Sequence, residues 1–172
     1  GHTSIVTRGE DFITDRASFG LSVLNLGSSW GHGVSAHYED NGDGDYFFDT
    51  DYYPQVNSWT HLAATRNSNG QLDIYSNVQL IQTWGSTPQP ATNCFQDLII
   101  GAYWYRPSST SAYLANFFPG SIDDVRIYNR ALTAGEVHDL YVIPAPGAVV
   151  LCGIGLGFVG FAGWRLERRK EL

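Results

Sequence analysis

Along most of the first 128 positions, apolar and polar residues alternate in short runs broken by Gly, Asn, Asp, Ser and Pro. A period of two is the pattern of a β-strand with one buried face, because successive side chains point to opposite sides of the pleat. In QLDIYS (71–76), Leu72 and Ile74 share one side while Asp73 and Tyr75 share the other. The same pattern, with β-branched and aromatic residues enriched, predicts strands at SIVTR (4–8), FGLSVLNL (19–26), GVSAHYE (33–39), DYFFD (45–49), THLAATR (60–66), QLIQTW (79–84), DLIIGA (97–102) and SIDDVRIY (121–128). Nine short antiparallel strands suit an all-β, two-sheet sandwich.

The period changes twice near the end. In ALTAGEVHDLY (131–141), Thr133 is placed to cap the amide of Glu136 while Glu136 reaches back, and Leu132 is placed to pack on Val137. These are a capping box and a hydrophobic staple, so one short helix is predicted, with Val137, Leu140 and Tyr141 as its buried stripe. From Gly147 to Trp164 the chain then carries no charge. As a helix this stretch would span about 27 Å, nearly the ~30 Å hydrocarbon thickness of a bilayer. Arg165, Arg168, Arg169 and Lys170 follow as a basic flank of the kind that stays cytoplasmic, which leaves the body on the far side of the inner membrane. Gly153 and Gly157 form a GxxxG face that lipid tolerates better than water does. The chain therefore divides into a β-domain, 1–142, and an anchor or sorting segment, 143–172, made of an apolar helix (147–164) and a basic tip (165–170).

Charge sharpens that division. Residues 1–142 carry six Arg and no Lys against fifteen Asp and Glu, a net of −9, whereas 143–172 carry a net of +2. A body this acidic repels phosphate backbones, so nucleic acid is excluded as a partner. Of the two cysteines, Cys94 lies in the β-rich body and Cys152 in the apolar segment, poorly placed to pair. No Met is present, and the chain reads as part of a longer polypeptide.

Two resemblances follow. SWTHLAATRNSNGQLDIYSNVQLI (58–81), DLIIGA (97–102) and FPGSIDDVRIYNRALTAGEVHDLY (118–141) together resemble the concanavalin A-like, laminin-G-like jelly-roll family of secreted proteins. The resemblance implies a jelly-roll sandwich whose opening strands lie outside this sequence, with Trp59 in the core. Where the family usually has Asn-Gly or Asp-Gly after LDIY, this chain has Asn77-Val78. Val is disfavoured at positive φ, so the turn there is predicted to be altered or longer. The second likeness is in the tail. Pro144-Ala145-Pro146, the glycine-rich apolar span and the basic cluster resemble the PEP-CTERM sorting signal of Gram-negative bacteria, with Ala145 in place of the usual Glu. It implies export, recognition by an exosortase-like processing enzyme, and delivery to the envelope or extracellular matrix.

Candidate chemistry is sparse. Glycoside hydrolysis needs two carboxylates flanking a sugar, and the body's only glutamates, Glu10, Glu39 and Glu136, stand far apart in sequence, while Asp123 and Asp124 are neighbours that point to opposite faces. The five histidines show no metal-ligand spacing and no adjacent nucleophile motif. The densest acid run is YEDNGDGDYFFDTDYY (38–53), where Asp40, Asp43, Asp45, Asp49 and Asp51 are candidate ligands for calcium. The competing reading is a solvated hairpin turning at Asn41-Gly42 or Asp43-Gly44. For a sugar surface, Trp104, Tyr105 and Arg106 in AYWYRPSSTSAY (102–113), read as a loop, are the leading candidates, followed by Trp30 and Trp84. The reading as a whole is a secreted or envelope-associated bacterial module without a catalytic site. Its partner is a polysaccharide or a matrix protein. The alternatives are a glycan-active enzyme of the same fold and a purely structural adhesion protein.

Overall fold

The computed structural model describes residues 2–11, 19–24, 33–42, 44–92, 97–108 and 111–142. Eleven strands and one helix are assigned there: β1 His2–Arg8, β2 Glu10–Asp11, β3 Phe19–Leu24, β4 Val34–Glu39, β5 Asp45–Asp49, β6 Leu62–Arg66, β7 Leu72–Ser76, β8 Gln79–Trp84, β9 Leu98–Ile100, β10 Tyr103–Ser108, β11 Ser111–Ala115 and α1 Ala134–Val142. They form a five-stranded sheet ordered β5-β4-β3-β1-β9 and two three-stranded sheets, β6-β7-β8 and β11-β10-β2. Every pairing is antiparallel except β10 with β2.

Alternation decides which faces meet. Val34, Ala36 and Tyr38 of β4 and Phe48 of β5 point inward from the large sheet, and Leu72 and Ile74 of β7 meet them from the small one. Val34 and Ile74 are 0% exposed, so the two-sheet core sits at this crossing. Phe48 lies between Tyr38, at 5.2 Å, and the edge-on ring of Trp84, at 5.6 Å. On the opposite side of the large sheet Ser4, Ser22 and Ser35 lie side by side across β1, β3 and β4, all buried. Glycine is required at Gly33, where a Cβ would fall 1.8 Å from the Tyr52 carbonyl oxygen.

Arg66, at the end of β6, ties the layers together. Its guanidinium donates to the carbonyls of Thr87 and Pro88 at 2.9 and 2.8 Å and to the Thr87 hydroxyl at 3.0 Å, and it lies 6.0 Å from the centre of the Tyr38 ring. The Tyr38 hydroxyl donates to the same Pro88 carbonyl, at 2.7 Å. Segment 87–89 is thus pinned by one cation from the small sheet and one phenol from the large sheet.

Three expectations are corrected. The β7–β8 turn keeps two residues, with Asn77 at φ 45° and Val78 at φ 69°, so Val accepts the left-handed conformation rather than lengthening the loop. Asn77 supplies the reason: its Oδ1 accepts from the His61 amide at 2.9 Å and its own amide donates to the His61 carbonyl, fixing the turn from outside. A β-branched residue held there is strained by about 1–2 kcal/mol. Val78→Gly is therefore expected to raise the unfolding free energy by about 1 kcal/mol after the greater backbone freedom of glycine is discounted. Denaturant titration would read this; a variant less stable than the parent contradicts it. Second, 102–113 is not a loop but most of the β10–β11 hairpin. Third, SIDDVRIY forms no strand: residues 121–128 pair with nothing among the described residues, and Asp124 in the middle sits at φ 52°, in the left-handed region that interrupts a strand.

The helix forms with the predicted capping box, but its buried stripe is narrower than expected: Val137 is buried and Leu140 half-buried, whereas Tyr141 is 49% exposed. Thr133 Oγ1 accepts from the Glu136 amide at 3.2 Å, the Glu136 carboxylate accepts from the Thr133 amide at 2.8 Å, and Val137 is fully buried. Arg130 adds a two-pronged contact to the same carboxylate. That guanidinium and the Thr133 amide hold Glu136 well below the usual carboxylate range, at about 2. A depressed folded pKa contributes stability above the unfolded value and loses it as pH falls toward the folded one. The thermal midpoint is therefore expected to fall between about pH 4.5 and pH 2 partly through Glu136, and Glu136→Gln is expected to flatten that limb. Identical pH profiles for the two proteins would contradict the assignment. No helix among the described residues is long and apolar enough to cross a membrane, and 143–172, with Pro144, Ala145, Pro146, Arg165, Arg168, Arg169 and Lys170, lies outside them.

Candidate glycan-binding face

The β10–β11 hairpin brings together aromatic residues that the sequence scatters over eleven positions. Tyr103 and Tyr105, two apart on β10, share one side of the strand. Tyr105 stands opposite Tyr113 of β11, so all three rings lie in one row. Ring centroids are 6.2 Å apart for Tyr103 and Tyr105 and 5.5 Å for Tyr105 and Tyr113, with interplanar angles of 63° and 72°. Edge-to-face contacts of this kind suit the ring quadrupole and hold each ring in place. Tyr113 is 51% exposed, and the other two are half-buried. Trp104 points to the other side, opposite Leu114, which is 39% exposed. On the far edge of the same sheet, β2 sets Asp11 in register with Tyr105 and Glu10 with Trp104.

Such a row offers apolar ring surface beside phenolic hydroxyls that both donate and accept, the combination that suits a sugar with C–H and O–H groups on one ring. Of the sequence candidates, Tyr105 is central to it, Trp104 occupies the same strand on the reverse face, and Arg106 follows on β10. Trp84 packs against the core through Phe48 instead. Trp30 lies outside the described residues, as do Cys94 and Cys152. Sequence reading missed Tyr103 and Tyr113 because Pro107 and the Ser-Ser-Thr run disguise the hairpin. The two tyrosines at i and i+2 before the proline were the signal that could have found it.

The acidic segment has a different use. Asp40 Oδ1 accepts from the amides of Gly42 and Gly44 at 2.7 and 2.8 Å, and its Oδ2 accepts from the Tyr46 hydroxyl at 3.1 Å, so this carboxylate closes the β4–β5 turn. The hydrogen bond to Asp40 pushes the Tyr46 phenol pKa up. Asp45 and Asp49 sit at opposite ends of β5, about 13 Å apart at strand spacing, too far to share one ion. Asp51 is exposed beyond the strand, and Asp43 lies outside the described residues. Among the described residues no three His, Cys, Asp or Glu side chains converge on a point that could hold a metal. The body's glutamates are likewise dispersed, over β2, β4 and α1. Asp124 is engaged by Arg126 at 2.8 and 2.9 Å.

His61 sits just before β6, with its ring 5.9 Å from Tyr141 of α1. Its Nδ1 is buried without a hydrogen-bond partner among the described residues. Burial, and then the nearby Arg126, push its pKa down. Trp59, expected in the core, is instead 70% exposed and lines an open groove.

Comparison with known proteins bears on this arrangement. A family model described as the concanavalin A-like lectin/glucanases superfamily matches residues 3–138. Among solved structures, the CBM40 of the Ruminococcus gnavus IT-sialidase superposes with a TM-score of 0.64 at 20% identity, covering 82% of this chain and 74% of its own. A heptameric SAP-like pentraxin from Limulus polyphemus does so with 0.53 at 13% identity, covering 81% and 69%. At these identities the likeness establishes the fold. No curated protein sequence matches the chain.

Proposed function

The chain belongs to the concanavalin A-like lectin/glucanases superfamily, and from that premise we propose that it is a non-catalytic glycan-binding module that takes its ligand on the tyrosine face of the β10–β11 hairpin. The observation that carries this reading is the row Tyr103, Tyr105 and Tyr113, ordered ring against ring and open to solvent at Tyr113. Two similar folds, one titled a CBM40 and the other a SAP-like pentraxin, lend it support. The module works outside the cytoplasm. Its supports there are the acidic body and the segment 143–172, whose apolar run and basic tip suit insertion into the inner membrane before an exosortase-like enzyme acts near Pro144-Ala145-Pro146.

Binding of the whole chain to an array of plant, bacterial and animal glycans, in calcium and in chelator, tests the first part. Binding is expected to weaken at least about tenfold in Tyr105→Ala, because truncating an ordered aromatic anchor removes most of a local contact's energy. Tyr105→Phe is expected to keep the stacking and lose only the hydroxyl's share. Absence of any glycan signal, or Tyr105→Ala binding as well as the parent, would sink the reading. Binding that requires calcium would place the ion away from the described acids of 38–53. Turnover of a β-glucan by the chain would favour an enzyme instead. Mass spectrometry of the mature protein from its host tests the second part: a mass that still includes 147–172 makes the segment a permanent anchor.

A further inference from the structure

Three tyrosine rings on one hairpin face limit what can lie against them. Tyr103 and Tyr105 follow β10, whereas Tyr105 and Tyr113 lie across the β10–β11 ladder, so the line of ring centres turns at Tyr105. Neighbouring centres are 6.2 and 5.5 Å apart, comparable to the repeat of one sugar along a glycan chain, and the ring planes tilt by 63° and 72°. A sugar stacks on an aromatic ring by laying its C–H face flat against it. One sugar can lie flat on only one of these tyrosines, because the next ring stands nearly on edge to the first. Each ring therefore serves a separate sugar.

Resting on the reading of this face as the glycan site, we propose that it holds three consecutive sugars of one solvated, uncharged glycan chain, twisted from unit to unit, and not the surface of a crystalline polysaccharide.

Geometry and charge select that ligand. A crystalline surface is planar and needs aromatic rings in one plane, so rings that turn and tilt cannot meet it together. A free glycan chain rotates about its glycosidic bonds and presents each unit to its own ring. A site for a single terminal sugar is disfavoured by position. Among the described residues β11 is the edge strand of its sheet, and Tyr113 is 51% exposed there, so a glycan can run on past the last ring. The edge-to-face contacts also hold the rings relative to one another before a ligand arrives, which lowers the ordering cost of binding. Fifteen Asp and Glu against six Arg in residues 1–142 repel uronate and sialylated chains.

Calorimetry on the whole chain with cello-, laminari-, malto- and N-acetylchito-oligosaccharides of increasing length, together with depletion onto crystalline cellulose and chitin, tests this. In at least one soluble series the affinity is expected to rise about fivefold with each added sugar up to the third and then level off, with no depletion onto either solid. Tyr113→Ala is expected to bring the plateau back to two sugars while leaving the disaccharide affinity little changed, and Tyr113→Phe should keep the third step. Affinity already complete with a monosaccharide overturns the proposal, as does a plateau that Tyr113→Ala does not move or depletion onto a solid that Tyr105→Ala abolishes. If no neutral series binds while a glycan array still shows binding that Tyr105→Ala removes, the proposal falls and the glycan-binding reading stands. Absence of binding in both assays sinks the two together.

Discussion

Ile74→Ala is expected to lower the unfolding free energy by about 2–5 kcal/mol, the range for truncating a fully buried aliphatic side chain. Ile74 is 0% exposed and belongs to the cluster in which β7 meets β4 and β5, so its loss opens a cavity between sheets rather than at a rim. The neighbours cannot collapse into that space freely. Tyr38 is anchored through its hydroxyl to the Pro88 carbonyl, and Phe48 is held between Tyr38 and Trp84. The upper half of the range is therefore the expected value. Chemical denaturation reads it as a shift of midpoint at unchanged slope. Leu80→Ala, at a position 54% exposed on β8, is the control and should change stability by no more than about 0.5 kcal/mol. Equal effects at the two positions would mean that the crossing of the sheets is not the core.

Arg66→Ala is expected to cost about 3 kcal/mol, a figure that combines lost charge-assisted hydrogen bonds with the carbonyls left behind. The guanidinium satisfies the Thr87 and Pro88 carbonyls and the Thr87 hydroxyl, and it reaches Gln89 Oε1 at 3.2 Å. Thr87 is itself 8% exposed, and its carbonyl has no ready substitute for the lost donors. Arg66→Lys should recover only part of the loss, because one ammonium cannot present a planar fork to several acceptors at once. The two variants separate charge from geometry: if Lys restores full stability, the positive charge near Tyr38 matters and the fork does not.

The same residues show where reading the sequence reaches its limit. Hairpins such as β6–β7 and β4–β5 are legible because each strand's partner follows within a few residues and the alternation fixes which face is buried. The capping box at Thr133 and Glu136 is legible for the same reason: all its atoms lie within one helical turn. Trp59 misleads, because a tryptophan at the start of a strand says nothing of what lies across from it. Residues 121–128 mislead more instructively. Their composition is that of a strand, but a strand exists only when its backbone pairs with another, and none of the described residues forms a ladder with them.

The candidate site divides in the same way. Tyr105 and Trp104 stand out as aromatic residues, but which of them faces a ligand is a matter of strand parity, and the parity is hidden until β10 is known to be a strand. Asp40 looks like a metal ligand until the two glycine amides that fold back on it are seen.

By itself the sequence determined an all-β sandwich ending in one capped helix, an acidic body and a chemically separate apolar segment, since local propensity, alternation and charge need no partner to be read. Tertiary structure alone decided that Tyr103, Tyr105 and Tyr113 form one face, that Val78 is held at positive φ, and that β6 and 121–128 border an open groove. Each of these depends on which distant backbone lies alongside, and pairing between strands far apart in the chain is settled by burial and hydrogen bonding across space, not by the order of residues within either strand.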